Sequence, residues 1–258
     1  MKNLLELKGV SAGYDNSGRK PAICGIDLAV ARGELLVIAG PNGSGKTTLL
    51  KTSGGLLKPM EGQVTINGRE ISALKRRERA ALTAFLFQVR DSPWPFTVRE
   101  IIAQGRFARR GWLGSETGED RDTVAEALEK ADLVSLCDRP VTELSGGELQ
   151  RVYIARCIAQ GAAFLLLDEP ENNLDPKYAY MVLTLIRDLV SEGRGAIVSL
   201  HDLRLANVFA DRIVLLSRLS GGQAGTISVL GSPSEVLTNE SVGRIFDLPP
   251  DLVRSIIL

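Results

Sequence analysis

The hydrophobic positions of this chain fall into two kinds of pattern. Four short runs are almost entirely apolar, which is typical of strands buried on both faces of a parallel sheet; they are residues 35–39, 164–168, 196–199 and 212–216. Between these runs, apolar residues recur at helical spacing and alternate with charged ones. This succession of strands and helices predicts an α/β fold, a mainly parallel sheet flanked by helices on both faces.

The first third of the chain follows a looser pattern. Residues 4–10 are biased toward apolar side chains, and residues 22–30 alternate loosely between apolar and polar, so we predict a strand in each segment. Residues 63–66 form another predicted strand, because the Asn67-Gly68 dipeptide that follows is typical of a tight turn. A short apolar run at residues 85–88 predicts one more strand.

Helical signals dominate the middle of the chain. Thr97 and Glu100 have the spacing of a capping box, which predicts a helix that begins there and runs through Gln104. Residues 119–131 and 146–160 also show helical periodicity.

We therefore predict that residues 1–258 form a single domain with two parts. Its core consists of residues 1–96 and 140–258, where predicted strands and helices alternate. Residues 97–139 are mostly helical and interrupt that alternation, so we predict an inserted helical subdomain there.

A glycine-rich segment lies between the predicted strand 35–39 and a predicted helix, residues 46–57. It has the pattern G-x-x-x-x-G-K-T and consists of Gly40, Pro41, Asn42, Gly43, Ser44, Gly45, Lys46, Thr47 and Thr48. Glycines let backbone N–H groups close around phosphate oxygens, and the helix adds the positive end of its dipole. In such a P-loop, Lys46 would contact the β- and γ-phosphates and the Thr47 hydroxyl would bind Mg²⁺.

Two carboxylates stand at the end of the apolar run 164–168. Asp168 suits Mg²⁺, a cation that prefers oxygen ligands and keeps much of its water. Glu169 follows directly and is placed to accept a proton from an attacking water. With the P-loop upstream, this pair predicts nucleotide hydrolysis rather than nucleotide binding alone.

The sequence Leu144-Ser145-Gly146-Gly147-Glu148 leads into the predicted helix 146–160, just upstream of the acidic strand. Together with the P-loop and the Asp168-Glu169 pair, this motif resembles the ABC ATPase family, and the resemblance extends over nearly the whole chain. In that family the serine hydroxyl and the glycine amides face the γ-phosphate of an ATP bound to a second subunit. The resemblance therefore implies that Ser145, Gly146 and Gly147 complete a partner's nucleotide site.

Four further residues match the family by their order along the chain. Gln88 matches the Q-loop glutamine, which touches Mg²⁺ and faces a membrane partner. Asp175 matches the D-loop aspartate, and His201, the sole histidine of the chain, matches the switch histidine. Tyr14 falls where an aromatic ring stacks on adenine.

The resemblance carries expectations about fold and chemistry. It implies a P-loop NTPase sheet with an N-terminal antiparallel β region and an inserted helical subdomain. It also implies ATP and Mg²⁺ as cofactors, and catalysis by Glu169, His201, Lys46 and Gln88. The active form would be a homodimer that holds two ATP molecules between its subunits.

A second stretch, Leu219-Ser220-Gly221-Gly222-Gln223, spells the family's signature more literally than residues 144–148 do. It lies between the apolar run 212–216 and another predicted strand, residues 226–229. Since no amphipathic helix follows, its amides would not project from a helix end, and Ser-Gly-Gly there indicates a turn. We therefore assign the signature to the first copy.

One departure from the family lies beside the acidic pair. Glu171-Asn172-Asn173 replaces the commoner Thr-Ser-x, which leaves the contacts of the D-loop across the dimer open, although Asp175 still matches. Glu148 in place of glutamine is a common family variant.

The composition of the chain limits the classes of partner that we expect. Lys and Arg number 31, as do Asp and Glu, so the formal net charge is zero, and aromatic residues make up 5%. Nucleic-acid binding usually needs a basic surface or stacking aromatics, so we expect no nucleic-acid partner. The three cysteines lack zinc spacing, which favours reduced thiols in a cytosolic protein.

The start of the chain has no apolar signal segment, and no apolar run approaches the roughly 20 residues that a membrane-spanning helix needs. We expect a cytoplasmic protein, peripheral on the inner face of the cell membrane, that docks onto a pair of membrane-spanning permease subunits. A solute-binding protein would be an indirect partner.

Within the family, residues 95–100 (Pro-Phe-Thr-Val-Arg-Glu), Gly105-Arg106 and residues 138–148 look like the importers of iron-siderophores, haem and cobalamin. Two alternatives remain open. One is a soluble ABC ATPase of a cytosolic scaffold, as in iron–sulfur cluster biogenesis. The other is a catalytically inactive interaction module, which is disfavoured by the presence of Lys46, Asp168, Glu169 and His201.

Overall fold

Ten strands form one sheet in the computed structural model, which describes residues 4–14, 21–87, 95–110, 115–219 and 224–257. The strands are β1 (Leu4–Ala12), β2 (Ile23–Ala31), β3 (Leu35–Ala39), β4 (Glu61–Ile66), β5 (Arg69–Glu70), β6 (Thr83–Leu86), β7 (Phe164–Asp168), β8 (Gly195–Ser199), β9 (Arg212–Arg218) and β10 (Gly225–Gly231). Their order across the sheet is β5-β4-β1-β2-β10-β9-β3-β8-β7-β6.

The helices alternate with the strands through most of the chain. They are α1 (Lys46–Ser53), α2 (Arg76–Leu82), α3 (Val98–Ala103), α4 (Phe107–Arg110), α5 (Gly118–Lys130), α6 (Gly146–Gln160), α7 (Pro176–Ser191), α8 (Leu203–Phe209), α9 (Pro233–Val236), α10 (Asn239–Phe246) and α11 (Pro250–Ile257). No helix in the described part of the chain is long and apolar enough to cross a membrane.

The sheet has a parallel half and a mostly antiparallel half. Strands β6, β7, β8, β3 and β9 run parallel, with Val37 of β3 opposite Val198 on one side and Ile213 on the other. Strands β1, β2, β4 and β5 pair antiparallel with one another. The predicted fold class, including the N-terminal antiparallel region, is confirmed.

Strand β3 shows why the central runs are apolar without interruption. Side chains of a strand point alternately to opposite faces. Leu36 and Ile38 pack on one face against β1, β2, β4 and α1, whereas Val37 and Ala39 pack on the other face among the α5–α8 helices. All five residues of β3 are fully buried, so neither face offers a place for a polar side chain.

The helical segment packs on α6. Thr97 begins α3 with the predicted capping box: its Oγ accepts from the Glu100 amide, and the Glu100 carboxylate accepts from the Thr97 amide at 2.8 Å. Helices α3 and α5 both pack on α6. Arg106, buried between them, donates to Asp120 at 2.6 Å and to the Ala159 carbonyl of α6 at 3.1 Å.

Most predicted bounds agree with the structure within two or three residues, but α1 is shorter than predicted. It ends at Ser53 because Gly54 and Gly55 follow, and Gly55 adopts the left-handed conformation (φ 73°). Any Cβ at Gly54 would overlap the Phe85 ring. The close approach of β6 therefore fixes the glycine there, and the glycine pair ends the helix.

Candidate functional site

The predicted site residues follow the carboxyl ends of three neighbouring strands. β3 leads into the glycine-rich loop, β7 ends in Asp168, and β8, which lies between them in the sheet, leads to His201. In parallel α/β sheets, ligands bind at this edge, because all strands deliver their following loops to the same side. The order of strands thus brings together groups that are far apart in sequence.

The glycine-rich loop turns sharply into α1. Gly45 stands at the N-cap position with φ 97°, and a Cβ there would overlap the Ile23 side chain, so only glycine fits. The first N–H groups of a helix have no partner within it and point outward from its start. Ser44 Oγ is buried in the loop without a hydrogen-bond partner among the described residues. These features suit a phosphate group.

Lys46 is almost fully buried at the start of α1. Its Nζ donates to the Gly40 carbonyl at 2.9 Å and to the Pro41 carbonyl at 3.4 Å. Burial lowers the pKa of Lys46, and the nearby carboxylates of Glu169 and Asp168 partly oppose that effect. The ammonium is thus held inside the loop, next to the acidic pair.

Asp168 joins the P-loop to β8. Its Oδ2 accepts from the Thr47 hydroxyl at 2.7 Å, and its Oδ1 accepts from the Ser199 hydroxyl at 2.6 Å. Mg²⁺ prefers hard oxygen ligands and retains water, so a hydroxyl and a carboxylate beside a phosphate loop fit this ion. The predicted pair of Thr47 and Asp168 is therefore brought together by the structure.

Glu169 and His201 form a close pair. The His201 Nε2 lies 2.6 Å from Glu169 Oε1, and the second carboxylate oxygen of Glu169 accepts from Asn172 Nδ2 at 3.4 Å. Glu169 has a positive φ of 52°, and its amide donates to Ser199 Oγ at 2.9 Å. A positive φ is uncommon outside glycine and occurs often at functional sites.

The predicted P-loop and Glu169 line one pocket of 290 Å³. Tyr14 stands at its rim, 58% exposed, with the Lys51 ammonium 5.2 Å from the centre of its ring. An exposed aromatic ring beside a phosphate loop suits stacking on a nucleotide base. Within the predicted P-loop, Asn42 and Thr48 are among the residues that line this pocket.

The signature residues lie at the start of a helix, away from this pocket. Ser145 caps α6, and its amide and hydroxyl donate to Glu148 Oε2 at 2.8 and 2.7 Å, which lowers the pKa of Glu148. Asp175 caps α7 by accepting from the Tyr178 amide. Neither residues 145–147 nor Asp175 line the pocket that contains Lys46.

Gln88, the predicted Q-loop residue, lies outside the described residues, as do Ser220, Gly221, Gly222 and Gln223 of the second signature-like stretch. That stretch connects β9 to β10, and the Leu219 amide donates to the Ala224 carbonyl at 2.9 Å. A strand follows it instead of a helix, which supports the assignment of the signature to residues 144–148.

Sequence reasoning missed three polar residues of the site. Ser199, fully buried, bonds to both Asp168 and Glu169. Glu171 accepts from the His201 amide at 2.9 Å, and Arg218 donates to the P-loop carbonyl of Asn42 at 3.0 Å. A serine at the end of an apolar run offered a signal for Ser199; the other two contacts join residues too distant in sequence to be paired.

Known proteins resemble the chain in sequence and in structure. The ABC transporter family matches residues 23–172, more than half of the chain. The hemin import ATP-binding protein HmuV of Rhizobium meliloti (strain 1021) is 41% identical over 230 residues, which cover 86% of this chain and 84% of that protein. The iron(3+)-hydroxamate import ATP-binding protein FhuC of Bacillus subtilis (strain 168) is 32% identical over 252 residues, 97% of this chain and 90% of that protein.

A solved structure has the same fold. The ATP-binding cassette MJ0796, a dimer in a post-hydrolysis state with ADP and phosphate, superimposes with a TM-score of 0.75 at 30% identity, covering 89% of this chain and 98% of that chain. The family match includes the P-loop, residues 144–148 and the Asp168-Glu169 pair. The chain belongs to the ABC transporter family.

Proposed function

We propose that this chain is the ATP-hydrolysing subunit that powers a binding-protein-dependent importer for a metal chelate, of the iron-siderophore, haem or cobalamin type. The arrangement of Lys46, Thr47 and Glu169 around one pocket carries the ATPase part of the proposal. The import part is supported by relatives named for hemin and iron(3+)-hydroxamate import.

The carboxylates at the end of β7, Asp168 and Glu169, would take part directly in ATP hydrolysis. Lys46 and the α1 amides would hold the β- and γ-phosphates of ATP. Glu169 would accept the proton of the attacking water, and His201, 2.6 Å from that carboxylate, would keep it oriented. Thr47, Asp168 and, by resemblance, Gln88 would hold Mg²⁺, which neutralises phosphate charge when bound. The protein thus positions the phosphates and the attacking water, and it accepts the proton of that water.

Two copies would form the active unit. Ser145, Gly146 and Gly147 start a helix but do not line the pocket of their own P-loop, so they are available to a nucleotide bound by another copy. Gly146 has open space where a Cβ would stand, which suits the close approach of a phosphate. The related cassette that is dimeric with ADP and phosphate supports the same arrangement here.

A groove of 340 Å³ on the helical segment would receive a membrane-spanning permease subunit. Phe96 and Phe107 are exposed at 42% and 40%, and Arg99, Glu100 and Glu116 surround them. A groove that is part apolar and part charged suits a short amphipathic helix. We therefore place the chain in the cytoplasm, peripheral on the inner face of the membrane, with a solute-binding protein as an indirect partner.

Glu169→Gln tests hydrolysis. The variant should bind ATP but turn over about 10²–10⁴-fold more slowly, because the water loses its proton acceptor. Steady-state phosphate release by the purified protein measures this, and light scattering with ATP and Mg²⁺ should show a dimer of the slow variant. Glu240→Gln, at an exposed position on α10, is the matched control and should behave as wild type.

Uptake of metal chelates by cells tests which class of solute is transported. Cells lacking this gene should lose uptake of haem, of a ferric siderophore or of cobalamin, and the wild-type gene should restore it. Intact uptake of every metal chelate together with an impaired cytosolic iron–sulfur enzyme would replace this function by the scaffold alternative. Near-normal turnover of Glu169→Gln would refute the catalytic assignment itself.

A further inference from the structure

Residues 171–173, where the chain departs from the family pattern, lie against the proposed catalytic pair. Glu171 is buried, and its Oε1 accepts from the His201 backbone amide at 2.9 Å. Its Oε2 is buried without a hydrogen-bond partner in the described part of the chain. A threonine hydroxyl sits on Cβ, two bonds closer to the backbone, so the longer glutamate side chain is what reaches the loop after β8.

An unpartnered carboxylate oxygen in the interior costs free energy, and burial raises the pKa of Glu171. A residue that contributed only to packing would be served better by an apolar side chain of similar volume. The Glu171 side chain accepts its hydrogen bond from the backbone amide of His201. The free-energy cost of burying this carboxylate is offset only if ordering the His201 backbone contributes to function.

The next residues act on the other member of the pair. Asn172 Nδ2 donates to Glu169 Oε2 at 3.4 Å, while His201 lies at Oε1 of the same carboxylate. Asn173 has a positive φ of 60°, a conformation that asparagine tolerates better than most residues. This local turn brings Asn172 back toward Glu169 and directs Glu171 toward β8.

We propose that Glu171 and Asn172 are positioning residues, which hold His201 and Glu169 in the relative position that the attack of water on ATP requires. Glu171 holds the backbone of His201, and Asn172 holds the carboxylate oxygen of Glu169 that His201 does not contact. The proposal rests on the ATPase function given above. It assigns a role to the Glu-Asn-Asn segment within a single subunit, before any contact with a second copy.

The test compares Glu171→Ala with Glu171→Gln in steady-state ATP hydrolysis by the purified full-length chain. The alanine variant should lose about 10-fold in kcat, because a hydrogen bond to an ordered backbone amide is lost, while KM for ATP stays within about twofold. Glutamine keeps an acceptor oxygen and should restore most of kcat. Glu240→Ala, an exposed position, is the matched control.

A double-mutant cycle separates positioning from general destabilisation. In a His201→Ala background, Glu171→Ala should cause no further loss of kcat, because its effect passes through the histidine. Glu171→Thr introduces the family's commoner residue and should show the same loss as alanine, so the test stands even if Glu171→Ala does not fold. Asn172→Ala should lower kcat about threefold, again with little change in KM.

The outcomes are distinct. An active wild-type protein with unchanged kcat in Glu171→Ala and Glu171→Thr would overturn the positioning role and leave the ATPase function standing. A loss that is additive with His201→Ala, or a rise in KM without a fall in kcat, would overturn it as well. An inactive wild-type protein, assayed with ATP and Mg²⁺, would instead refute the proposed function.

Discussion

At the scale of single residues, Lys46 links the fold to the chemistry most directly. Its ammonium is buried and donates to the P-loop carbonyls of Gly40 and Pro41, so it is held where a nucleotide's phosphates would lie. Burial lowers the pKa of Lys46, and the nearby carboxylates of Glu169 and Asp168 oppose that effect.

Lys46→Ala should weaken ATP binding by at least ~10-fold, because a charged hydrogen bond to phosphate contributes about 1.5–3 kcal/mol. Titration of the purified variant with a fluorescent ATP analogue measures the change. Lys58→Ala, at an exposed lysine beyond the end of α1, is the matched control and should bind like the wild type. Equal affinity of the Lys46 variant and the control would contradict the assignment of this loop.

The two signature-like stretches allow a direct comparison. Ser145→Arg should abolish turnover, because it places bulk and charge at the start of α6, where the partner's nucleotide is expected. Ser220→Arg should be nearly silent, since this stretch connects two strands. Steady-state ATP hydrolysis by both variants is the measurement. The reverse result would show that the second stretch is the signature.

Residue types and their spacing predicted the P-loop and the acidic pair, because each stands in a contiguous motif at a strand end. His201 was predicted from its resemblance to the switch histidine of the family. Residue types and spacing were insufficient for Ser199, Glu171 and Arg218. Their hydrogen bonds join residues 31, 30 and 176 positions apart. Which polar groups meet over such distances depends on the order of strands, and the local sequence does not encode that order.

At the scale of elements, the uninterrupted apolar strands and a helix bounded by glycines were the easiest to predict. The bounds of β3, β7 and α6 agree with the sequence analysis, because full burial of the strands and a glycine at each end of the helix leave little freedom. The C-terminal helices α9, α10 and α11 were missed. Each is eight residues or shorter and is held by packing, so its helical period extends over too few residues to be distinctive.

The buried ion pair between Arg106 and Asp120 should make the stability of the helical segment depend on pH. The hydrogen bond from Arg106 lowers the pKa of Asp120 to about 2, from 3.8 in an unfolded chain. A folded-state pKa below the unfolded value stabilises the protein above pH 3.8, and the contribution is lost as the pH falls toward 2.

Asp120→Asn should therefore lower stability at neutral pH by about 2 kcal/mol, because Arg106 loses its buried charged partner and keeps the exposed Glu119 carboxylate at 3.5 Å. Thermal melting of the variant and the wild type at a series of pH values measures this, and the difference between them should shrink below pH 4. Asp122→Asn, an exposed position on the same helix, is the control. A difference that stays constant down to pH 2 would contradict the role of the carboxylate charge.

At the scale of the whole molecule, the sheet order is the feature that the sequence could not supply. Strand β10 pairs antiparallel with β9 but also parallel with β2, through Gly225 and Ile23. This pairing joins the antiparallel half of the sheet to the parallel half. Periodicity predicts that each strand exists, whereas the neighbour of a strand depends on packing across the entire domain.

The groove on the helical segment and the pocket of the P-loop are lined by different residues, so a substitution can test them separately. Phe107 lies in that groove on α4, whereas the P-loop follows β3 at the edge of the sheet. Phe107→Asp places a charge where an apolar contact with the permease is expected, so solute uptake by cells should fall at least ~10-fold while ATP hydrolysis by the isolated subunit is retained. Radiolabelled haem or siderophore uptake and phosphate release measure the two activities. Arg121→Asp, at an exposed position on α5 outside the groove, is the control for added charge. Parallel loss of uptake and hydrolysis would show that the groove supports the fold of the ATPase and not the attachment of a membrane subunit.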